Sequence, residues 1–242
     1  MLRRTEPEVT ADINSFLDTL LLFRLGSIIS AKTELRPKSV LITGGKTTSG
    51  PQNVRYKYAL TSVDVPDLTA LFTKLKPLLQ QIHRSTNSDA FSIGCRRFKE
   101  ALLEGGTSEA TITSGITCLE ALLLGAGERQ ELKHRLGQRV SALASLLGVY
   151  DPLAVYRDIS FAYEIRSTFI HGSVVRGEKA KMLSRLCEAV LNYSRLCLLV
   201  TVQLRGAIKK DAFLKTLDNS LLDQKQRFQL EQLLRSKVIV TM

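Results

Sequence analysis

Two residues near the middle of the chain could perform acid–base chemistry on a phosphate ester. Arg166 precedes His171 by five positions in the segment that runs from Tyr163 to Gly172. A histidine exchanges protons near neutral pH, and an arginine can stabilise the extra negative charge of a phosphate under attack. The imidazole could take the proton from a 2′-hydroxyl or give one to the leaving oxygen. This pair could therefore cleave RNA without a metal or any other cofactor.

The residues around this pair predict a helix that packs through one apolar face. Arg166 projects with that face, because it lies three or four positions from other apolar residues of the segment. A half-buried arginine needs a partner, and Glu120 also sits among apolar residues at helical spacing. We predict that Glu120 and Arg166 meet across two packed helices. A structural salt bridge that holds the helix register is the alternative role of the pair.

His171 directly precedes Gly172, so we expect it at a helix C-terminus, where the helix dipole favours the protonated ring. A second pair with the same spacing, Arg129 and His134, lies in a nearly all-polar helix start and is predicted to be a solvated surface. The triplet at 45–47 (Gly-Lys-Thr) lacks the earlier glycine and the following helix of a phosphate-binding loop. It is interpreted as part of a turn.

The elements that must position these residues divide the chain into three predicted parts. Residues 1–85 are predicted to form a small α/β region, 86–208 a helical bundle, and 209–242 a short helical extension. The fold class is therefore mainly α, with an up-and-down bundle, because short loops between helices make neighbours antiparallel. In the first part, we expect a helix capped by Asp12 that ends near Gly26. Strands are expected at Ile28–Leu35, Val40–Thr43 and Val54–Leu60, and a turn at Thr43–Pro51.

Helical periodicity and glycine or aspartate punctuation predict the remaining helices. They are Asp67 to Ile82 with a kink or break at Pro77, Ser88–Glu104, Ser108–Leu124, Glu128–Leu147, Asp151–His171, Lys179–Leu204, and two shorter stretches around Phe213–Leu217 and Phe228–Leu234.

Charge is the compositional feature that bears on function. The 242 residues carry a formal net charge of +11, which favours a polyanionic partner such as RNA. The excess lies in residues 31–107 and 173–242, at +6 and +7, whereas 1–30 and 108–172 each carry −1. We expect the basic residues that follow His171 across a short turn to bind the substrate phosphates: Arg176, Lys179, Lys181 and Arg185.

Several other classes of protein are disfavoured. The cysteines Cys95, Cys118, Cys187 and Cys197 form no C-x-x-C pair and, with three histidines, predict buried thiols and no zinc site. No apolar run is long enough for a membrane helix, and the N-terminus lacks the apolar core of a signal peptide. We therefore expect a cytoplasmic protein that does not interact with membranes.

The segment YEIRSTFIHG at 163–172, with GITCLEALLL at 115–124 and RVSALA at 139–144, resembles the HEPN superfamily, specifically its Apea-like branch. The resemblance covers about residues 95–205 and extends more faintly to the N-terminal region. It implies a dimeric helical bundle in which R-x(4–6)-H motifs of two subunits form a metal-independent ribonuclease site. Arg166 and His171 match that motif. Ser167 follows the arginine, where many members have Asn, Asp or His.

The resemblance leads to one main functional prediction and two alternatives. The main one is a homodimeric endoribonuclease that leaves a 2′,3′-cyclic phosphate, with Arg166 and His171 catalytic and Glu120, Ser167 and Tyr163 in support. Such proteins serve in anti-phage defence or as toxins, which makes an antitoxin or a regulatory protein a further expected partner. The alternatives are a non-catalytic interaction or RNA-binding module, and a nucleotide-binding module.

Overall fold

The computed structural model of the chain describes residues 6–28, 32–35, 46–49, 56–85, 87–104 and 106–241. These residues are mainly helical, which confirms the predicted helical bundle. The helices are α1 (Glu6–Phe23), α2 (Val65–Arg84), α3 (Ala90–Leu103), α4 (Ser108–Leu123), α5 (Leu132–Leu147), α6 (Pro152–Ile170), α7 (Glu178–Lys181), α8 (Leu183–Leu204), α9 (Lys210–Asn219) and α10 (Gln224–Lys237). Strands β1 (Lys32–Leu35) and β2 (Lys46–Ser49) pair antiparallel.

Polar side chains begin several of these helices where the sequence predicted boundaries. Asp89, Thr107 and Asp151 each accept a hydrogen bond from the backbone N–H three positions on, at the starts of α3, α4 and α6. Such a cap satisfies an N–H group that has no partner within the helix. Gly148 ends α5 with φ of 66°, a left-handed conformation that suits glycine. The local sequence therefore sets these helix ends.

The centre of the bundle is the crossing of α4 with α8. A Cβ atom at Gly115 of α4 would lie 2.5 Å from Cγ1 of Val190 on α8, so only glycine permits this close approach. Helix α8 is buried along most of its length, and α4 also packs against α3 and α6. One cluster of buried side chains runs from Leu21 of α1 to Leu234 of α10. The core therefore joins α4 to α6, the two helices that carry Glu120 and Arg166.

Several predicted details of the N-terminal region are wrong. Helix α1 begins at Glu6, so Asp12 lies inside the helix, where its carboxylate contacts Gln80 and Lys76 of α2. Residues 46–49 of the predicted turn form β2, and 56–60 are not a strand. A strand was predicted at Ile28–Leu35, and the strand that the structure describes there is Lys32–Leu35. The predicted strand Val40–Thr43 lies outside the described residues.

Three predicted helices differ in their limits. Helix α2 continues through Pro77 to Arg84, so the proline does not break it. Helix α5 begins at Leu132 rather than at Glu128, because Glu131 adopts a left-handed backbone with φ of 54°. A turn at Met182 separates α7 from α8, where one helix was expected. The two C-terminal helices, α9 and α10, lie where the sequence predicted them.

Arg139 of α5 is a buried arginine whose partners come from three parts of the chain. Its guanidinium contacts both carboxylate oxygens of Glu128 at 2.7 and 2.8 Å and both of Asp218 on α9 at 2.7 Å. It also donates to the carbonyl of Leu123 at the end of α4. The hydrogen bond from Arg139 lowers the pKa of Glu128 to about 2. This network holds the C-terminal helices to the bundle.

A second buried ionic network joins the first three helices. Asp18 of α1 lies 3.1 Å from His83 Nε2 of α2 and 2.5 Å from Lys99 Nζ of α3, and the Cys95 thiol lies at 4.0 Å. Burial alone would raise the pKa of Asp18, but the hydrogen bond from His83 and the charge of Lys99 outweigh it and lower the pKa. Burial raises the pKa of the Cys95 thiol to about 12, which keeps the sulfur protonated.

Asp18→Asn is expected to lower the free energy of unfolding by about 2 kcal/mol at pH 7, because the ammonium group of Lys99 loses the carboxylate that it pairs with. The folded-state pKa of Asp18 is depressed, so its stabilisation is present above the ordinary value of 3.8 and is lost as the pH falls through the folded value. Urea unfolding between pH 7 and 3 checks both points. The exposed Asp211 supplies the matched control, Asp211→Asn, and an equal loss in both variants would contradict the prediction.

Candidate functional site

Glu120 and Arg166 meet between α4 and α6, as the sequence predicted. Nη2 of Arg166 lies 3.1 Å from Oε2 of Glu120, and the two side chains are 24% and 17% exposed. Each residue lies on the packed side of its helix, so the helix contact brings the two charges together. The predicted approach of this pair is therefore confirmed.

Tyr163 completes the group around this ion pair. The guanidinium carbon of Arg166 lies 5.5 Å from the centre of the Tyr163 ring. Burial raises the pKa of Glu120, and Arg166 and Tyr163 offset part of that effect. Nε of Arg166 is buried and has no hydrogen-bond acceptor among the described residues. The arginine is thus held by Glu120, and its buried Nε donor is unpaired among these residues.

His171 lies at the end of the same helix and has a different environment. It is the C-terminal cap residue of α6 and is exposed, and its backbone N–H donates to the carbonyl of Ser167 at 3.2 Å. Gly172 follows with φ of 72°, as expected for a glycine that ends a helix. Within the described part of the chain, no hydrogen bond or ion pair engages the imidazole. Its ring is free to contact a ligand.

Arg166 and His171 do not point in the same direction. Residues five apart on a helix are separated by about 140° around its axis and roughly 7.5 Å along it. Arg166 accordingly faces α4, whereas His171 and Ser167 lie on the exposed surface. The structure thus groups Arg166 with Glu120 and Tyr163 and leaves the other two predicted site residues solvent-accessible.

Large apolar side chains flank His171 and are exposed to solvent. Phe169 and Ile170 precede it with 38% and 55% of their surface exposed, and Val174 follows with 69%. Three such residues within six positions are unusual on a free surface, where extended apolar areas mark contact sites. This end of α6 therefore offers both an exposed imidazole and apolar surface.

Three of the four predicted substrate-binding residues are paired with carboxylates. Lys179 lies 3.5 Å from Glu164, Lys181 lies 2.6 Å from Glu178, and Arg185 lies 2.6 Å from Asp158. All three remain more than half exposed, so their charges are accessible to a ligand. Arg176 is exposed in the loop after α6 and makes no ion pair with a described residue.

Asp158 of α6 is a buried residue that the sequence reasoning missed. Its carboxylate accepts hydrogen bonds from Tyr193 Oη of α8 at 2.9 Å and from both terminal nitrogens of Arg185. Burial, with the Asp158 interaction, raises the pKa of Tyr193, so the hydroxyl stays a proton donor. The signal that could have found Asp158 is its place beside Ile159 and Val155 on an apolar helix face.

The second Arg–His pair lies on a solvated surface, as predicted. Arg129 and His134 are both exposed. Nδ1 of His134 lies 2.9 Å from the hydroxyl of Tyr156, and the two rings pack edge to face. This histidine has an aromatic hydrogen-bonding partner, and among the described residues no hydrogen bond joins it to Arg129.

No protein-family model matches the chain, and no curated protein or solved structure is significantly similar to it. Among the residues that the structure describes, no helix is both long and apolar enough to cross a membrane. Nor does that part of the chain contain three or more His, Cys, Asp or Glu residues grouped to hold a metal ion. Cys118, Cys187 and Cys197 are buried free thiols, as predicted, and Cys95 is half-buried.

Proposed function

We propose that the protein is a metal-independent endoribonuclease of the HEPN type. The observation that carries the proposal is the contrast at one helix end: Arg166 is fixed by Glu120, and five positions later His171 is exposed without a partner among the described residues. A fixed cation and a free imidazole are the two groups that phosphoryl chemistry with proton transfer requires, although within one subunit they face about 140° apart around α6.

In this proposal, the residues act on the 2′-hydroxyl and on the adjacent phosphate. His171 accepts the proton of the hydroxyl or donates one to the leaving 5′-oxygen, and attack of the 2′-oxygen produces a 2′,3′-cyclic phosphate. Arg166 stabilises the charge that builds up on the phosphate, while Glu120 and Tyr163 keep the guanidinium in position. Ser167 lies next to Arg166 on the exposed side of α6, where it could contact the RNA.

A homodimer is part of the same proposal. The resemblance implies a cleft in which the motifs of two subunits come together. The exposed Phe169, Ile170 and Val174 supply apolar surface beside His171, of the kind that an interface buries. Arg176, Lys179, Lys181 and Arg185 follow on the adjoining segment and would give the cleft a positive rim for the RNA backbone.

The wider role is proposed from the resemblance alone. In this role the protein is a cytoplasmic enzyme of anti-phage defence or a toxin, and it has an antitoxin or regulatory partner. Its domains are an α/β region at 1–85, an Apea-like HEPN bundle at 86–208 and a helical extension at 209–242.

A non-catalytic HEPN module for protein, RNA or nucleotide binding is the second candidate. The Glu120–Arg166 pair favours it, because a half-buried ion pair between two helices can serve only to hold their register. In that case the exposed His171 and the basic residues after it would bind a ligand without cleaving it.

Purified protein is expected to cleave single-stranded and structured RNA in the presence of EDTA and to leave 2′,3′-cyclic phosphate ends. The measurement is a denaturing gel with end-group analysis. The control is the same oligonucleotide with 2′-deoxyribose throughout, which lacks the attacking hydroxyl and should stay intact. Cleavage of that control, or activity that needs an added metal ion, would contradict the proposal. RNA that is bound in a gel shift but stays intact would favour the second candidate.

A further inference from the structure

A partly open cavity of about 280 Å³ lies between the starts of α3 and α9 and the ends of α4 and α8, and none of its lining residues belongs to the predicted ribonuclease site. Its wall is mainly apolar, and the side chains that form it are Phe91, Leu122, Leu204, Ile208 and Phe213. Ligand pockets in proteins typically have this character, with an apolar body and a few polar groups that orient the ligand. The volume is near the lower end of their range, so the cavity would suit a small ligand.

The polar groups around the cavity are predominantly cationic. Arg205, Lys209 and Lys210 contribute three positive charges, and Asp89 is the acidic residue that lines it. One terminal nitrogen of Arg205 lies 2.6 Å from Asp89, and Lys210 Nζ donates to the carbonyl of Ala121 at 2.7 Å. After these pairings the cavity keeps a net positive charge, with Lys209 exposed at its edge. Its charge complements an anion.

One donor in this group has no acceptor. Nη1 of Arg205 is buried and makes no hydrogen bond to any residue that the structure describes. Buried guanidinium N–H groups are normally hydrogen-bonded, because leaving one unpaired is costly. An anionic ligand in the cavity would supply the missing acceptor once the Arg205 side chain turns Nη1 towards it. Burial also lowers the pKa of Lys210, which an anion at the same site would counteract.

We propose that this cavity binds a small carboxylate with an apolar chain, its head group against Arg205 and Lys209 and its chain on the apolar wall. A carboxylate matches the planar guanidinium and needs few hydrogen-bond donors. A phosphate has more oxygens and would need more donors than this wall provides. The apolar part of the cavity excludes a fully polar anion as the preferred ligand. This inference does not depend on the ribonuclease proposal.

Isothermal titration calorimetry with octanoate tests the inference on the full chain. One saturable site is expected, with an affinity that rises roughly fourfold per methylene from hexanoate to octanoate, as apolar burial predicts. 1-Octanol and octylamine have the same chain without the anion, and both are expected to bind at least about tenfold more weakly, because a charge-assisted hydrogen bond is absent. Equal binding of octanol, or no saturable octanoate binding, would overturn the proposal.

Three variants locate the site. Arg205→Gln is expected to weaken octanoate binding about tenfold or more, because the main partner of the head group is lost. Arg96→Gln, on the exposed side of α3 and outside the cavity, is the matched control and should leave the affinity unchanged. Lys209→Gln removes an exposed charge at the edge of the cavity. If Arg205→Gln loses its helical circular dichroism, the octanoate affinity of Lys209→Gln tests the role of the positive charge instead. Unchanged affinity in every cavity variant that stays folded would overturn the proposal.

Discussion

Replacing His171 with alanine is expected to lower the rate of RNA cleavage by about 10²- to 10⁴-fold, the range typical for loss of a general acid or base. The imidazole is the group proposed to move the proton, and no other described histidine lies in the segment around Arg166. Single-turnover cleavage of a labelled RNA in EDTA gives the rate. A substrate with an activated leaving group needs no proton on its leaving oxygen. If His171→Ala cleaves such a substrate at the wild-type rate, His171 is the general acid.

The structure separates this catalytic role from a structural one. The His171 ring is exposed and makes no hydrogen bond within the described residues, so His171→Ala should change the free energy of unfolding by less than about 1 kcal/mol. His134→Ala is the matched control, because His134 follows Arg129 at the same spacing on a solvated surface. Full activity in His171→Ala, or equal loss in both variants, would contradict the proposed role. A large loss of stability in His171→Ala would favour the non-catalytic module.

The centre of the candidate site was predictable because its signals are local. Glu120 and Arg166 each interrupt an apolar helical face, and a buried charge requires an opposite charge nearby. The end of the helix at Gly172 was equally predictable, because glycine commonly follows the last residue of a helix. The direction of His171 relative to Arg166 follows from helix geometry, but the pairing of Lys179 and Arg185 with acids does not. Those contacts depend on how α6, α7 and α8 pack, which periodicity alone does not specify.

Other features were missed for three physical reasons. Arg139 carries the same signal as Arg166, since it lies three positions after Leu136 and four before Leu143 on a buried face. Its carboxylate partners, however, lie in a loop and on α9. The limits of α5 were misjudged because Glu131 adopts a left-handed backbone that residues of its type rarely take. In the N-terminal region, short alternating segments do not determine strand pairing, so the described β1–β2 pairing could not be deduced.

Replacing Arg139 with methionine is expected to lower the free energy of unfolding by about 3 kcal/mol, the lower end of the range for breaking a buried ion pair. Methionine fills a similar volume but removes the hydrogen bonds that the guanidinium donates to Glu128, Asp218 and the Leu123 carbonyl. The two carboxylates are 20% and 41% exposed, so water can partly replace the guanidinium, which keeps the loss from being larger. Urea unfolding followed by circular dichroism at pH 7 measures the effect.

Arg135→Met is the matched control for this variant. Arg135 lies one turn earlier on α5, is 43% exposed and contacts Glu128 at 3.3 Å, so its loss should cost no more than about 1 kcal/mol. The pH dependence provides a second test. Glu128 has a folded-state pKa of about 2 against an ordinary 4.5, so its contribution is present above 4.5 and is lost as the pH falls towards 2. Arg139→Met should therefore lose less stability than the wild type over that interval. Equal acid sensitivity, or equal loss in the two arginine variants, would show that the buried guanidinium does not hold these helices together.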